Sequence, residues 1–264
     1  MSRAPVAVRG ARVGVLGLAK SGSAVARLLA ERGARVYASD LTEGGKAAVV
    51  AAELEGVGVE VELGRHDTAR LATCDWVVTS PGIPPQAPVL GDPAVAALPI
   101  FSEIEVASWF AEAPIAAVTG TNGKTTTTEL LGRIARAGGI AASVAGNIGR
   151  AFSTAILEDP QAEWYVIEVS SFQLARIATF RPRVAVVLNL TADHLDVYAS
   201  LKEYVADKVR IAENMGPGDA LCLNAEDPAL EAFGAGRDVE RHSFHRSRPV
   251  ERGAWVEDGW IALA

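Results

Sequence analysis

Long apolar runs are missing from this chain of 264 residues. The apolar run near the amino terminus, Val13 to Leu18, is short and interrupted by glycines, so it does not match a secretory signal peptide. No other stretch approaches the ~20 apolar residues of a membrane-spanning helix. These absences predict a soluble, cytoplasmic protein that has no membrane partner.

Cysteine is also scarce. Cys74 and Cys222 are the only two cysteines, and neither lies in a pattern with metal-ligand spacing. This usage argues against a disulfide framework and against a cysteine-based zinc site. We expect both thiols to be reduced and structural.

Basic residues are outnumbered by acidic ones. The 25 Lys and Arg residues oppose 32 Asp and Glu residues, which gives a net charge of −7. This balance argues against nucleic acid as the main partner. It does not exclude anionic nucleotides, because helix ends and magnesium bind them locally. With 49% hydrophobic residues, the chain is predicted to fold into one large or two ordinary domains.

The stretch from Ile115 to Thr128 has the pattern of a phosphate-binding loop. An apolar β-branched run reaches the loop Gly120-Thr-Asn-Gly-Lys-Thr, and a helix follows from a row of threonines. In this context backbone N–H groups cradle phosphates, Lys124 reaches the β- and γ-phosphates, and Thr125 binds Mg²⁺. Val118 stands where the standard pattern has its first glycine, so a glycine-rich turn with an exposed lysine stays an alternative.

The amino-terminal part has the pattern of half a Rossmann-like unit. A predicted strand, Arg12 to Leu16, leads into Gly17-Leu-Ala-Lys-Ser-Gly22, and Asp40 ends the next strand about twenty residues later. Ala19 replaces the middle glycine, which weakens the case for NAD or FAD. A packing turn and a site for another nucleotide-like ligand both stay open.

Strands and helices alternate along most of the chain, which predicts an α/β fold with parallel sheets. We place a Rossmann-like domain at 1–112 and a P-loop mononucleotide-binding domain, incomplete at its carboxyl end, at 113–264. Ser102 followed by Glu105 predicts a capping box at a helix start. Glu257-Asp-Gly-Trp260 predicts a hairpin turn.

Three further side chains lie near predicted strand ends or on a following helix. Glu168 suits a magnesium carboxylate, but it also suits a cap or an ion pair. His194 is a candidate ligand or charge stabiliser. Lys208, taken alone, is most simply a solvated helix lysine.

Seven short motifs, spread over nearly the whole chain, occur together in the sequence. They are Gly17-Leu-Ala-Lys-Ser-Gly22, Ser80-Pro-Gly-Ile83, Gly120-Thr-Asn-Gly-Lys-Thr, Gly146-Asn-Ile-Gly149, Glu168-Val-Ser-Ser-Phe-Gln-Leu174, Asn189-Leu-Thr-Ala-Asp-His194 and Lys208-Val-Arg-Ile-Ala-Glu-Asn214. In this order they resemble the Mur ligases of peptidoglycan synthesis. The first two point to a family member that adds D-glutamate to UDP-N-acetylmuramoyl-L-alanine.

The resemblance implies roles for individual positions. The ATP-binding set is Gly120, Thr121, Asn122, Gly123, Lys124, Thr125 and Thr126. The substrate-binding set is Ala19, Lys20, Ser21, Asp40, Leu41 and Gly82 for the UDP end, with Asn147 and His194 for the muramoyl portion. Thr125 and Glu168 would serve one Mg²⁺, and His194 with a carbamylated Lys208 would serve a second. The implied catalytic set is Lys124, Glu168, His194 and Lys208.

The implied activity is ATP-dependent amide ligation through an acyl phosphate. Its partners would be UDP-N-acetylmuramoyl-L-alanine, ATP and D-glutamate, and the protein would act as a monomer. Family members continue past this chain's end with an adenine-contacting segment and a domain that binds the amino acid. We therefore expect a fragment that cannot complete ligation alone.

Other readings of the sequence remain. A related ligase would add a different amino acid or extend folate. A P-loop switch or motor would hydrolyse ATP or GTP without any UDP-sugar. A plain dinucleotide-binding module would bind NADH, and Ala19 argues against it.

Overall fold

The computed structural model describes residues 4–147, 149–191, 197–198 and 200–264. Within these residues the chain forms two compact units. The first contains the chain up to Ala111 together with Gly149–Pro160 and Arg176–Thr179, and the second contains the remainder. The sequence division at 112/113 places Glu112 in the first domain, whereas Glu112 begins the second unit, and it does not include the two segments that return to the first unit.

The first unit is a doubly wound α/β structure. Its elements are β1 (Arg12–Leu16), α1 (Lys20–Glu31), β2 (Arg35–Asp40), α2 (Gly45–Glu55), β3 (Glu60–Leu63), α3 (Thr68–Leu71), β4 (Trp76–Thr79), α4 (Pro88–Gly91), α5 (Pro93–Ala96), β5 (Ile100–Ser102) and α6 (Glu103–Ser108). The described strands pair in parallel in the order β3-β2-β1-β4-β5. This is the strand order of a Rossmann-like half, so the predicted fold is confirmed.

Alternation along the central strands gives the first sheet an apolar layer on each face. Val13 and Val36 belong to the core cluster on one face, and Leu16 and Tyr37 belong to the cluster on the other. Strand side chains alternate between faces, so apolar residues at nearly every position predict burial on both sides. Helices cover both layers, as expected for a parallel sheet.

The second unit is built on a longer sheet. Its elements are β6 (Ile115–Thr119), α7 (Lys124–Ala137), β7 (Ala142–Gly146), β8 (Trp164–Glu168), α9 (Ser171–Leu174), β9 (Val184–Val187), α10 (Leu201–Val209), β10 (Ala220–Asn224), β11 (Glu240–His245), β12 (Gly253–Glu257) and β13 (Trp260–Leu263). Short 3₁₀ helices lie at Arg210–Ala212 and Pro228–Leu230, and α8 (Phe152–Glu158) belongs to the first unit. The described strands follow the order β13-β12-β11-β10-β9-β6-β8-β7.

All of these strand pairs are parallel except β12 with β13. Strands β12 and β13 form an antiparallel hairpin, as the sequence predicts. Asp258 and Gly259, which join them, have φ values of 49° and 80°. Positive φ at both central residues is typical of the two-residue turns that match the twist of a hairpin.

The close approach of α1 to the turn after β1 depends on Gly22. A Cβ at this position would lie 1.7 Å from the Gly17 carbonyl oxygen and 2.4 Å from Ser80 Oγ. The Ser80 hydroxyl itself donates to the Gly17 carbonyl at 2.8 Å. Glycine is therefore required here for helix packing, independently of any ligand.

The capping box predicted at the start of α6 is wrong. The helix begins at Glu103, but Ser102 makes no side-chain cap bond and its Oγ has no partner among the described residues. Glu105 instead accepts hydrogen bonds from Trp109 Nε1 (2.8 Å) and from the Thr179 N–H (2.8 Å) and hydroxyl (2.7 Å). The local pattern predicts that the Glu105 carboxylate caps the helix, but this carboxylate is hydrogen-bonded to Trp109 and Thr179.

The described helices include none that is long and apolar enough to cross a lipid bilayer.

Candidate functional site

The phosphate-loop strand lies between two strands whose carboxyl ends carry polar side chains. In the second sheet β6 pairs with β8 on one side and with β9 on the other. The loop that follows β6 is therefore flanked by Glu168 at the end of β8 and by Asn189 just after β9. Carboxyl ends of parallel strands are where open α/β sheets bind ligands.

The loop itself turns on its two glycines. Gly120 has φ 150° and Gly123 has φ 83°, and α7 begins at the next residue, Lys124. The helix N-terminus therefore emerges directly from the turn. Its unpaired N–H groups and dipole make this end suited to an anion.

The Asn189 side chain holds the first half of the loop. Its Oδ1 accepts from the Thr121 N–H (3.1 Å) and the Asn122 N–H (2.8 Å), and its Nδ2 donates to the Asn122 carbonyl (3.0 Å). Thr121 is held further by its hydroxyl, which lies 3.1 Å from Tyr204 Oη. The loop is thus fixed by protein contacts alone, with two of its N–H groups already used.

Lys124 folds back over the loop. Its Nζ donates to the carbonyl oxygens of Gly120 (3.0 Å) and Thr121 (2.8 Å). The ammonium group therefore lies against the loop and does not project into solvent, which disfavours the reading of an exposed lysine in an ordinary turn.

Glu168, Thr125 and Asn147 form one hydrogen-bonded cluster. The Thr125 hydroxyl donates to Glu168 Oε2 at 2.6 Å, and Asn147 Nδ2 donates to Glu168 Oε1 at 2.9 Å. Glu168 is only 3% exposed. The sequence alternatives of a helix cap or an ion pair do not describe these contacts, since both partners are neutral.

Lys208 is buried, contrary to the reading of a solvated helix lysine. It is 2% exposed, and its Nζ donates to the Gly120 carbonyl at 3.0 Å. The same nitrogen lies 4.7 Å from the centre of the Tyr204 ring. Lys124 and Lys208 thus share one acceptor, which places two cations beside the loop.

His194 lies outside the described residues, so its predicted roles as metal ligand and substrate contact have no structural description here. Among residues 4–147, 149–191, 197–198 and 200–264, no group of three or more His, Cys, Asp or Glu side chains has the arrangement of a metal site.

The donor set of the cluster suits one magnesium ion. Mg²⁺ prefers hard oxygen ligands and is usually held by one or two protein oxygens plus phosphates and water. The Thr125 hydroxyl and the Glu168 carboxylate supply such oxygens side by side. Lys208 does not fit a metal as an ammonium group, because like charges repel, and it fits only if carbamylated.

The first unit has a second polar cluster at the carboxyl ends of β1 and β2. Asp40 Oδ2 accepts from the Leu18 N–H (2.6 Å), and Oδ1 accepts from the Thr42 N–H (2.8 Å). Burial opposes ionisation of Asp40, but these hydrogen bonds outweigh it and lower its pKa. The carboxylate therefore organises the turn that the sequence assigns to the UDP end.

The other predicted UDP-binding residues lie around this turn and the loop after β4. Ala19 immediately precedes α1, and Lys20 Nζ donates to the Gly149 carbonyl at 3.1 Å. Ser21 lies in the first turn of α1. Leu41 is 65% exposed, and a Cβ on Gly82 would meet no atom within 4 Å.

Sequence reasoning missed two side chains at these edges. Asn189 lies within a longer motif and has no sequence signal of its own. Its hydrogen bonds to the phosphate loop form because β9 pairs with β6. His66 Nδ1 lies 2.8 Å from Ser39 Oγ, and burial lowers its pKa although Asp40 opposes this. A histidine in a loop after a short strand carries no signal of such a partner.

The middle-domain model of the Mur ligases matches residues 118–255 of this chain. The chain belongs to the Mur ligase family. A second model, for the MurD-like N-terminal domain of Mur ligases, matches residues 11–102. The two matches cover both units.

Curated relatives of this Mur ligase chain extend the comparison. UDP-N-acetylmuramoylalanine–D-glutamate ligase of Geobacter metallireducens is 43% identical over 256 residues, which is 97% of this chain and 57% of that protein. The ligase of the same name from Salinibacter ruber is 44% identical and covers 98% and 58%, respectively. The chain thus spans about half the length of the curated relatives it matches.

Solved structures support the Mur ligase fold. The UDP-N-acetylmuramate:L-alanyl-gamma-D-glutamyl-meso-diaminopimelate ligase of Neisseria meningitides has a TM-score of 0.63 at 20% identity, over 96% of this chain and 86% of that chain. A murein peptide ligase of Psychrobacter arcticus has a TM-score of 0.56 over 96% of this chain and 58% of that one.

Proposed function

We propose that this chain carries the ATP-phosphate and UDP-substrate sites of a ligase that joins D-glutamate to UDP-N-acetylmuramoyl-L-alanine. The observation that carries the proposal is the hydrogen-bonded Thr125–Glu168 pair directly beside a phosphate loop. A loop alone would suit any nucleotide-binding protein. The choice of D-glutamate rests on the similarity to the curated ligases, and the cytoplasm, where nucleotide substrates are made, is the expected compartment.

The loop would bind the phosphates of ATP through the N–H groups that Asn189 leaves unused. These belong to Gly123, Lys124, Thr125 and Thr126, at the N-terminus of a helix of 14 residues. Lys124 would exchange its two carbonyl acceptors for oxygens of the γ-phosphate. Because a charge-assisted bond to phosphate is stronger than one to a neutral carbonyl, this exchange is favourable.

Thr125 and Glu168 would hold one Mg²⁺ at the phosphates. When bound, the ion neutralises charge on the phosphoryl oxygens. Asn147 would keep the Glu168 carboxylate oriented through its 2.9 Å bond. A carbamylated Lys208, together with His194, would provide an anionic oxygen and a ring nitrogen for a second ion.

The reaction would proceed in two displacements. The carboxylate of the UDP-substrate attacks the γ-phosphorus of ATP, which forms an acyl phosphate and releases ADP. The amine of D-glutamate then attacks the acyl carbon, forms the amide, loses a proton and expels inorganic phosphate. Lys124 would stabilise the charge that spreads over the transferring phosphoryl group.

The proposed contacts to the UDP-substrate fall into two sets. Ala19, Lys20, Ser21, Asp40, Leu41 and Gly82 would hold its UDP end, and Asn147 with His194 would contact the muramoyl portion. The support is the arrangement of the first six around the carboxyl ends of β1, β2 and β4.

We expect a monomer, which sedimentation velocity would measure.

Replacement of Lys124 tests the ATP assignment. We expect Lys124→Ala to raise the barrier of the chemical step by about 3–4 kcal/mol, the loss typical of one stabilising donor. The matched control is Lys202→Ala, which removes an exposed lysine from α10. Release of ADP by the full-length natural protein, with all three substrates present, is the measurement. Equal rates of ADP release by the two variants would contradict the assignment of Lys124 to the ATP site.

An amino-acid panel tests the acceptor. We expect ADP release by the full-length natural protein to require UDP-N-acetylmuramoyl-L-alanine and to rise with D-glutamate, but not with L-lysine, meso-diaminopimelate or L-glutamate. Hydrolysis of ATP or GTP that is indifferent to the UDP-substrate would favour a nucleotide switch instead.

A further inference from the structure

A cleft of about 290 Å³ opens in the first unit at the amino ends of β1, β2 and β3. It lies at the opposite end of these strands from the glycine turn and Asp40. Three arginines line it, Arg12, Arg35 and Arg70, together with Glu60 and Cys74. We call this feature the arginine cleft.

Strand register places two of the arginines side by side. Arg12 pairs with Arg35 across β1 and β2, and Tyr37 pairs with Glu60 across β2 and β3. Register partners share a face of the sheet, and so do residues two apart on one strand. Arg12, Arg35, Tyr37 and Glu60 therefore project from the same face, which places their polar ends in one cleft.

The third arginine comes from the end of α3. The Arg70 guanidinium lies 4.2 Å from the centre of the Tyr37 ring and forms an ion pair with Glu60. Burial, followed by the Asp75 charge, raises the pKa of the Cys74 thiol, while the Arg12 and Arg70 charges oppose that rise. Both guanidinium groups therefore act on the same thiol at the cleft wall.

The charges of the cleft do not balance. Arg70 is paired with Glu60, whereas neither Arg12 nor Arg35 has an ion-pair partner for its guanidinium in the described part of the chain. The Asp75 carboxylate accepts a hydrogen bond from the backbone N–H of Arg12 at 2.8 Å. Like charges directly opposite each other in a sheet are destabilising.

We propose that the arginine cleft is a binding site for a phosphate-type dianion, held between the forks of Arg12 and Arg35. A planar guanidinium matches two oxygens of a phosphate at once. The ligand is either inorganic phosphate or the phosphate group of a larger metabolite. The proposal is independent of the ligase activity, since the cleft lies at the other end of the first sheet from the turn assigned to UDP.

The test is a calorimetric titration with inorganic phosphate at constant ionic strength. It is done in a Lys124→Ala background, which weakens phosphate binding at the loop of the second unit. We expect saturable binding that Arg35→Gln and Arg12→Gln each weaken by roughly tenfold or more. Arg27→Gln is the control, because Arg27 pairs with Glu31 on the exposed side of α1. No saturable binding, or equal binding by all variants, would overturn the proposal.

Parallel titrations identify the source of the phosphate. Glycerol 3-phosphate and adenosine monophosphate replace inorganic phosphate in two further arms. Tighter binding of inorganic phosphate assigns the cleft to the free ion, and tighter binding of a monoester assigns it to a phosphorylated metabolite. Equal binding of acetate, a monoanion, would contradict a dianion site.

Stability gives a second readout that does not depend on a weak binding signal. In phosphate-free buffer, Arg35→Gln should melt at the same temperature as the parent chain or higher, because it removes one of two like charges. Phosphate should raise the melting temperature of the parent chain but not of the variant. A lower melting temperature of Arg35→Gln in phosphate-free buffer would contradict the charge argument. Arg35→Lys, which keeps the charge but loses the fork, should restore binding only in part.

Discussion

At the scale of single residues, Asn189 has the clearest influence on the phosphate loop. Its amide group satisfies two loop N–H groups and one loop carbonyl. A loop held in this way has less conformational freedom to lose when a nucleotide binds. We therefore infer that Asn189 positions the loop and would lie beside bound phosphates without contacting them.

Removal of the Asn189 amide should loosen the loop. We expect Asn189→Ala to weaken ATP binding by roughly tenfold, since three hydrogen bonds of modest net worth are lost. Amide hydrogen exchange at Thr121 and Asn122 should accelerate in the variant. Asn224→Ala is the control, because the Asn224 Nδ2 donates to the Leu188 carbonyl and its Oδ1 accepts from the Glu226 N–H, and neither bond involves residues 120–124. Unchanged exchange at Thr121 and Asn122 would rule out the clamp.

Glu103 is a second residue with a measurable signature. It is fully buried, and burial raises the pKa of its carboxyl group from 4.5 to about 7, although the Ser153 N–H lowers it in part. The folded state thus binds a proton more tightly than the unfolded chain. Stability from this group is present below pH 4.5 and is lost as the pH rises from 4.5 to about 7.

Glu103→Gln should remove this pH dependence. Over the window from 4.5 to about 7, ionisation of Glu103 costs the fold on the order of 3 kcal/mol. The variant should therefore be at least as stable as the parent chain at pH 8 and should lose less stability between pH 5 and 8. Urea unfolding at several pH values measures this. Parallel pH profiles of the two proteins would contradict the burial argument.

At the scale of elements, the packing of α1 on the turn after β1 is the most demanding contact. The sequence alone left open whether the glycines of this turn serve a ligand or packing. Gly22 serves packing, since its missing Cβ leaves room for the Gly17 carbonyl. A glycine in such a turn is therefore evidence of close packing against neighbouring protein atoms, and it is weaker evidence of a bound ligand.

Gly22→Ala should be strongly destabilising. The added Cβ would lie 1.7 Å from a backbone oxygen, so the helix or the turn must shift. We expect a loss of about 3 kcal/mol or more in the free energy of unfolding. Gly91→Ala is the control, because a Cβ there would meet no atom within 4 Å. A loss below about 1 kcal/mol in urea unfolding would show that the contact is easily relieved.

Local pattern and tertiary contact compete at α6, where the sequence prediction failed. Ser102 and Glu105 have the spacing of a capping box, but Glu105 binds Trp109 and Thr179. A capping box does form at Ser170, with Gln173 as its partner. Both places match the Ser-x-x-Glu/Gln pattern, but Glu105 bonds to tertiary partners, whereas Gln173 bonds to Ser170.

At the scale of the whole molecule, the sequence predicts the two parallel sheets and the strand ends that matter. Regular alternation of strands with helices and the β-branched residues of the strands carry that information, because the central strands β1, β4, β6 and β8 are buried on both faces. The return of Gly149–Pro160 and Arg176–Thr179 to the first unit is not predictable in this way. Those segments follow from long-range bonds, such as Glu103 to the Ser153 N–H at 2.5 Å, which leave no local pattern.

Some residues of the candidate site are predictable from the sequence, and others are not. Lys124, Thr125 and Glu168 lie where a strand-loop-helix pattern and a neighbouring strand end place them. The burial of Lys208 and the clamp of Asn189 depend on which strands and helices become neighbours. A helix lysine with a polar sequence around it gives no sign that its ammonium group will bond to the Gly120 carbonyl.

The central claim is that this chain binds a uridine-linked substrate and a nucleoside triphosphate at separate sites. The most direct measurement is calorimetric titration of the 264-residue chain with UDP-N-acetylmuramoyl-L-alanine, with and without a non-hydrolysable ATP analogue and Mg²⁺. We expect one saturable site for the UDP-substrate in both conditions, and binding of the analogue that Lys124→Ala weakens and Lys202→Ala leaves unchanged. Absence of UDP-substrate binding, or analogue binding that is indifferent to Lys124, would contradict the account.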